Sequence, residues 1–190
     1  MPWVSATGTH KLDLMMIGKS KSPRCFKNMD LPVDYKSSKN AWQTYTIFSD
    51  WYNDIFIPSI TRHLESKNLP VKALLLVDNT TCHGFENNFT GNPNFKVMFF
   101  PPNNTPLLQP LDQNVIKSLK QRYRKHLLAC LAALGVEDGI VSALKNINLK
   151  DVVYLVVQAW NEISVSVIQD SFKHLFSFLY SFFPNKKLFY

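Results

Sequence analysis

The sequence predicts a layered α/β fold, and three observations carry that prediction. Residues 71–78 and 95–100 are short, largely apolar runs with the length of buried strands. Residues 113–134 carry apolar side chains at helical spacing, with polar side chains on the other faces. Strands with helices between and after them are typical of sheets covered by helices.

The N-terminal segment is predicted to contain a strand followed by a loop. Residues 10–18 begin with polar side chains, become apolar and stop at Gly18, as strands do. Residues 19–38 contain Pro23 and Pro32 among several cations, which predicts a basic loop.

The next segment is predicted to be a helix. Apolar side chains across residues 41–64 mostly recur every three to five positions, which is the helical period. Thr46 is the expected N-cap of its main body, and Pro58 is expected to break or restart it. The strand at 71–78 follows, and we expect it to be buried on both faces.

The second half of the chain is predicted to be mostly helical. Asp78 is followed by a polar loop that leads into a short irregular or helical piece, and the strand at 95–100 ends before Pro101. Three amphipathic helices are expected, at 113–134, 149–162 and 166–179. Gly135 is the expected end of the first.

The chain has a formal net charge of +7, and its cations are unevenly placed. One group lies in the predicted loop and another on the predicted helix at 113–134. The cations expected to contact a nucleic acid are Lys19, Lys21, Arg24, Lys117, Lys120, Arg124 and Lys125. Local basic patches on a nearly neutral body favour DNA or RNA as the partner, and a merely solvated basic surface is the alternative.

The spacing of the cysteines and the length of the apolar segments indicate the cellular environment of the protein. Cys25, Cys82 and Cys130 are widely spaced and form no C-x-x-C pair, which is typical of reduced thiols in an intracellular protein. No segment reaches the ~18–20 uninterrupted apolar residues that span a bilayer. The sequence therefore predicts a soluble protein without a membrane partner, located in the nucleus if it binds DNA.

Two aspartates are the candidate catalytic residues. Asp78 closes one predicted strand and Asp112 begins a predicted helix, with thirty-three residues between them. A carboxylate at the end of a buried strand lies at the sheet edge where α/β proteins tend to bind ligands. Each aspartate also has a purely structural explanation, Asp78 in a turn and Asp112 as a helix cap.

Paired carboxylates suit Mg²⁺, a hard cation that takes oxygen ligands and leaves positions open for phosphate oxygens. Two such ions roughly 3.5–4 Å apart activate water and stabilise the leaving oxygen of an in-line displacement. Neighbouring lysines and arginines would hold the phosphate backbone without reading its sequence. His83 is a candidate to orient a ligand here, although a histidine satisfied within its own loop is the commoner case.

The residues around both aspartates resemble a known family. Residues 74–83 read Leu-Leu-Leu-Val-Asp-Asn-x-x-x-His, and residues 100–116 read Phe-Pro-Pro-Asn-x-Thr-x-Leu-Leu-Gln-Pro-Leu-Asp-Gln-x-Val-Ile. Together with Ala-Thr-Gly-Thr-His-Lys-Leu at 6–12, these motifs resemble the DDE superfamily endonuclease domain of pogo/Tigger-type transposases. Jerky-like and centromere-protein-B-like relatives share that domain, and the resemblance covers roughly residues 4–176.

The resemblance implies an RNase H-like fold whose three acidic residues bind magnesium or manganese for DNA strand cleavage and transfer. By motif match, Asp78 is the second acid and Asp112 the third, so both are expected to be catalytic and metal-binding. In relatives the first acid lies in an Asp-Glu-Thr-Gly-like segment upstream of Ala6, which this sequence lacks. Asp13 lies in a later strand and is no substitute.

These departures shape the expected organisation. We expect residues 1–165 to form a partial DDE-type, RNase H-like domain without its first central strand, and residues 166–190 to form a C-terminal helix and aromatic tail. With one acid missing, metal occupancy is expected to be weak.

Three functional hypotheses follow. The first is a transposase-derived domain that binds DNA in the nucleus without full catalytic competence, and the second is a fragment of an active Mg²⁺-dependent DNA endonuclease or transposase. The third is a protein-interaction module or homo-oligomer formed through the aromatic C-terminal segment, for which packing on its own domain or disorder is the alternative. That segment contains Phe176, Phe178, Leu179, Tyr180, Phe182 and Phe183.

Overall fold

The computed structural model describes residues 1–89, 91–101, 108–133 and 140–182, and it confirms a mixed α/β structure. The strands are β1 Met15–Gly18, β2 Asp34–Ser37, β3 Ala73–Val77 and β4 Phe95–Phe99. The helices are α1 Tyr45–Trp51, α2 Ile57–Ser66, α3 Ile116–Ala133, α4 Ile140–Asn146, α5 Leu149–Asn161 and α6 Val165–Phe182. The predicted helix end at Gly135 and the tail from Phe183 onward lie outside the described residues.

In the described part of the chain, the strands form two separate parallel pairs, β1 with β2 and β3 with β4. β2 falls inside the segment that we predicted to be a basic loop, so that prediction was wrong for these residues. Backbone pairing with β1 explains the strand: Asp34 N–H donates to the carbonyl of Leu14 at 3.0 Å. Val33, the residue just before β2, is buried, but β2 itself contains no buried aliphatic side chain. The sequence therefore has no apolar pattern that predicts this strand.

The prediction that β3 is buried on both faces was also wrong. Leu75 and Val77 are 3% and 8% exposed, whereas Leu74 is 44% exposed. Leu76, on the face of Leu74, packs only partly against a core. The face of β3 that carries Leu75 and Val77 is therefore well buried. The opposite face is covered only near Leu76.

The long helix of the N-terminal half differs from the prediction in its N-cap residue and in the turn at its middle. Thr44, and not Thr46, is its N-cap, and the Thr44 hydroxyl accepts from Ile47 N–H at 3.4 Å. A π-helical turn, Tyr52–Phe56, joins α1 to α2, and Pro58 lies in the first turn of α2. Of the predicted break or restart at Pro58, the structure shows only a change from π-helical to α-helical winding just before it, and Pro58 is accommodated because a residue without an N–H is tolerated in a first turn.

The strands separate two hydrophobic cores. The first core lies beneath α1 and α2, and its most buried members are Met15, Phe48 and Phe56, each 1% exposed. The second core joins the N-terminal segment to α3, α5 and α6, and includes Val115, Val153 and Ile168, each fully buried. Neighbouring strand residues supply both cores because side chains alternate across a strand: Met15 of β1 packs in the first core and Met16 packs against the second.

α6 packs on the second core through Ile168, Phe172 and Leu175. Phe176 also packs partly against that core, with its ring centroid 5.9 Å from that of Phe172. This favours internal packing over exposure for the first residue of the aromatic segment.

Two further findings concern the cellular environment. No single helix in the described ranges has both the length and the apolar character needed to cross a membrane; α5 and Val165–Ser177 meet the criteria only when joined, and they are bent by 73°. Cys25, Cys82 and Cys130 are free thiols.

Truncating the second core should unfold the chain more readily. Ile168→Ala is expected to lower the free energy of unfolding by about 2–5 kcal/mol, because it leaves a cavity at a fully buried position. Urea unfolding followed by circular dichroism measures this. The control, Val141→Ala on α4, removes a side chain that is 71% exposed and should change stability by less than about 0.5 kcal/mol. Equal effects of the two substitutions would contradict the assigned core.

Candidate functional site

The structure brings the two candidate carboxylates within electrostatic reach of each other. Asp78 directly follows β3, and Asp112 lies in a second π-helical turn, Leu111–Val115, which leads into α3. The negative charge of Asp78 is one of the causes that raise the pKa of Asp112. The two charges therefore interact in this structure, while the catalytic role of the two residues remains a prediction.

Asp78 is held by a short network of side chains in the turn that follows it. Nδ1 of His83 lies 2.6 Å from Oδ1 of Asp78, and the Thr80 hydroxyl lies 3.0 Å from the same ring nitrogen. The hydrogen bond with His83 is the largest of several influences that together lower the pKa of Asp78, outweighing burial, which acts in the opposite direction. A one-turn 3₁₀ helix, Thr81–His83, folds the imidazole back onto the carboxylate.

His83 is satisfied within its own loop, as the commoner explanation of such a histidine expects. Its partner is nevertheless the candidate acid itself, and its ring also packs on Phe48 of the first core at a centroid distance of 4.6 Å. The sequence shows only that a histidine follows Asp78 by five residues; the 3₁₀ turn that joins them has no clear sequence signal.

Asp112 has a different environment. The residue as a whole is exposed to solvent. Its pKa is raised, first because the carboxyl group is partly desolvated and second because of the charge of Asp78. The charge of Lys120 acts in the opposite direction. The explanation of Asp112 as a helix cap receives no support, because Pro110 occupies the N-cap of the turn and makes no side-chain capping bond.

All seven cations predicted to bind nucleic acid are exposed. Lys117, Lys120, Arg124 and Lys125 lie along α3, which begins just after Asp112, and the charge of Lys120 acts on that carboxylate. The loop group of Lys19, Lys21 and Arg24 lies in the connection between β1 and β2, and its charges are not among those that shift the pKa of either aspartate. Of these seven cations, the structure thus ties Lys120 on α3 to a candidate carboxylate.

One cation of α3 has a structural role instead. Arg122 lies 3.2 Å from the carboxylate of Glu162, which also lies 2.9 Å from Nε2 of His126. This ion-pair network fastens α3 to the end of α5. Arg122 therefore contributes less to the basic surface than its charge suggests.

The donor set at the candidate site suits a hard divalent cation only in part. Asp78 and Asp112 offer carboxylate oxygens of the kind that Mg²⁺ prefers. Within the described ranges, however, no group of three or more His, Cys, Asp or Glu side chains is arranged to hold a metal ion. Asp13 is exposed between two buried leucines, and it is not among the charges that act on either aspartate.

Comparison with known proteins places these residues in a family. Residues 4–172 match the family model described as DDE superfamily endonuclease. The chain is 36% identical over 187 residues to Tigger transposable element-derived protein 7 of Homo sapiens, a match that covers 90% of this chain and 34% of that protein. It is 32% identical over 174 residues to the Jerky protein of Mus musculus, covering 90% of this chain and 29% of that protein.

A third relative, Tigger transposable element-derived protein 4 of Mus musculus, is 29% identical over 167 residues, which cover 87% of this chain and 30% of that protein. The chain spans about a third of the length of these curated relatives. No solved structure matches it.

The coupling between the two carboxylates can be measured directly. Asp78→Asn removes a like charge and should lower the pKa of Asp112, whereas Lys120→Gln removes an opposing charge and should raise it. Carboxyl ¹³C NMR titration gives both shifts. Asp13→Asn serves as the control and should leave the pKa of Asp112 unchanged. If Asp78→Asn also leaves it unchanged, the two carboxylates are not close in solution.

Proposed function

The chain belongs to the DDE superfamily endonuclease family, and from this premise we propose that it is a transposase-derived domain that binds DNA beside an incomplete carboxylate metal site. The observation that carries the proposal is the electrostatic repulsion between Asp78 and Asp112 at the point where the basic helix α3 begins. A nuclear location is part of this proposal, since DNA is the partner.

Asp78 and Asp112 are the residues that would hold Mg²⁺ or Mn²⁺. A bound ion of this kind activates water and stabilises developing charge on phosphate oxygens. Asp78 is preorganised for this role, because His83 and Thr80 fix its carboxylate. Asp112 gains most from a cation, because a positive charge offsets the repulsion from Asp78 that raises its pKa.

We propose that the domain does not cleave DNA by itself. The resemblance implies three acids, and among the described residues the structure gathers two carboxylates at this place. The division of the strands into two separate pairs supports an incomplete RNase H-like sheet as the fold. With two protein ligands, a divalent ion is held weakly and lacks the fixed geometry that an in-line displacement requires.

The exposed cations of α3 are proposed to grip the phosphate backbone. Lys117, Lys120, Arg124 and Lys125 follow the candidate site along one helix, so a strand held by them passes close to Asp112. Such contacts give affinity by releasing counterions and carry little sequence information. Lys19, Lys21 and Arg24 form a second exposed basic group that would extend the contact with a long duplex.

Divalent cations should stabilise the chain through the two aspartates. At a Mg²⁺ concentration ten times its Kd, the gain is about 1.4 kcal/mol, or a Tm increase of about 3–5 °C for a chain of this size. Asp78→Asn and Asp112→Asn should each abolish the increase, which differential scanning calorimetry with and without Mg²⁺ measures.

The matched control for this measurement is Asp13→Asn, which removes one carboxylate elsewhere and should keep the full increase. Each variant is compared with itself without the ion, so a change in its basal Tm does not matter. An increase that survives both site substitutions would place the ion elsewhere.

DNA binding should weaken steeply as salt rises. The logarithm of the association constant should fall linearly with the logarithm of salt concentration, with a slope of about −0.9 for each phosphate contacted. Replacing Lys117 and Lys120 together by Gln should make the slope shallower by about two. Fluorescence anisotropy with a labelled duplex over a series of KCl concentrations gives the slopes.

A charge-matched control is the double substitution of Lys67 and Lys145 by Gln, which removes two exposed lysines from α4 and the end of α2. Its slope should equal that of the unsubstituted chain. Salt-insensitive binding, or an equal change in both double variants, would refute the proposed DNA surface.

Supercoiled plasmid incubated with the chain and Mn²⁺ should stay intact, and nicking that Asp78→Asn abolishes would refute the proposed inactivity.

A further inference from the structure

Two aromatic side chains stand exposed beside the candidate site. Phe85 is 74% exposed and Tyr45, at the start of α1, is 40% exposed. Phe85 follows His83 by two residues, so their Cα atoms are at most about 7 Å apart. Since His83 is hydrogen-bonded to Asp78, Phe85 belongs to the same short loop as the partner of that carboxylate.

The backbone that presents Phe85 is fixed on both sides. The Phe85 N–H donates to Oδ1 of Asn88 at 2.8 Å, and the Phe85 carbonyl accepts from Asn88 N–H at 2.9 Å. Gly84 has a φ of 76°, a conformation that favours glycine. A Cβ atom at Gly84 would lie 2.6 and 2.7 Å from two ring carbons of Tyr45, so the Tyr45 ring rests directly on the backbone before Phe85.

The exposed pair continues a buried aromatic cluster. The Tyr45 ring lies 6.4 Å from Phe89, which is 6% exposed, and the Phe89 ring lies 5.6 Å from Phe48. Phe48 in turn packs against the imidazole of His83. The Tyr45 ring therefore rests on a packed aromatic cluster that also contacts His83, the partner of Asp78.

We propose that Phe85, with Tyr45 beside it, is a stacking platform for an unpaired base of the DNA, an inference that rests on the proposed function. Every base has a flat π face, and proteins that bind single strands combine such aromatic side chains with cations that follow the backbone. Here the cations are those of α3, of which Lys120 is coupled to Asp112. A base stacked on Phe85 would bring its own phosphate toward the two carboxylates.

The charges around the pair favour a nucleotide over a protein partner. Two rings are a small apolar area compared with the patches of several hundred Å² that mark protein interfaces. The loop that carries Phe85 also carries His83, the partner of Asp78, which suits a ligand with a π face, phosphate oxygens and an accompanying cation.

The test compares the affinities of the full chain for two fluorescein-labelled probes in the presence of Mg²⁺, a short oligothymidine and a blunt duplex. Phe85→Ala should weaken binding of the single strand about tenfold, about 1.4 kcal/mol, and leave duplex binding unchanged. Phe85→Leu should show most of the same loss, because it keeps an apolar side chain but lacks the π face. Val141→Ala, at a position exposed to a similar degree, should leave both affinities unchanged.

The outcomes separate this inference from the proposed function. If the unsubstituted chain binds both probes and Phe85→Ala binds the single strand equally well, the platform is refuted while DNA binding stands, and the rings remain for a protein partner. An equal loss on both probes also refutes the platform. If the unsubstituted chain binds neither probe, the proposed function fails together with the inference. Circular dichroism of Phe85→Leu shows whether the fold is kept.

Discussion

The packing of two cores against opposite sides of the strands is the constraint on which the candidate site depends. Val77, the last residue of β3, is buried in the first core, and Val115, in the turn before α3, is fully buried in the second. Asp78 directly follows the first of these anchors and Asp112 precedes the second by three residues. Among the described residues, the hydrogen bonds of Asp78 stay within its own loop, and none described for either carboxylate spans the two cores. Their proximity is a consequence of burying their apolar neighbours, so it depends on the whole fold.

The two carboxylates nevertheless differ in what surrounds them. Asp78 accepts a hydrogen bond from His83, and this bond is the largest cause of its lowered pKa, so the charged form of Asp78 is favoured. Asp112 is exposed, has no such donor described, and has its pKa raised by burial and by Asp78. In the folded state the first charge is stabilised and the second is opposed. In the proposed site, a divalent cation would act most strongly on the second charge, so Asp112 would favour cation binding and Asp78 would be the preorganised ligand.

Sequence patterns predict the elements of this fold that depend on apolar runs. They do not predict the features that depend on local hydrogen bonds. β3, β4 and the long helices follow from their apolar content, and the family motif picks out both aspartates. β2 is held by backbone pairing with β1, the cap of α1 falls on Thr44 two residues before the expected Thr46, and Arg122 is paired with Glu162. The contact of His83 with Asp78 and the exposure of Phe85 depend on one 3₁₀ turn and one glycine with positive φ. A pattern of residue types does not encode such short irregular segments.

The proposed contacts with DNA combine three elements that depend little on the base sequence. Lysines and arginines on α3 contact phosphates, which every sequence shares. A cation held by Asp78 and Asp112 also acts on phosphate oxygens, and stacking on Phe85 requires only the flat face of a base. Reading a sequence requires side chains that reach base edges in a groove, and none of these three elements does so. What they can distinguish is the form of the DNA, because stacking needs an unpaired base, whereas the phosphate contacts need only a backbone. A domain that held DNA in the proposed way would recognise opened or distorted DNA better than a regular duplex, and it would do so near its carboxylates.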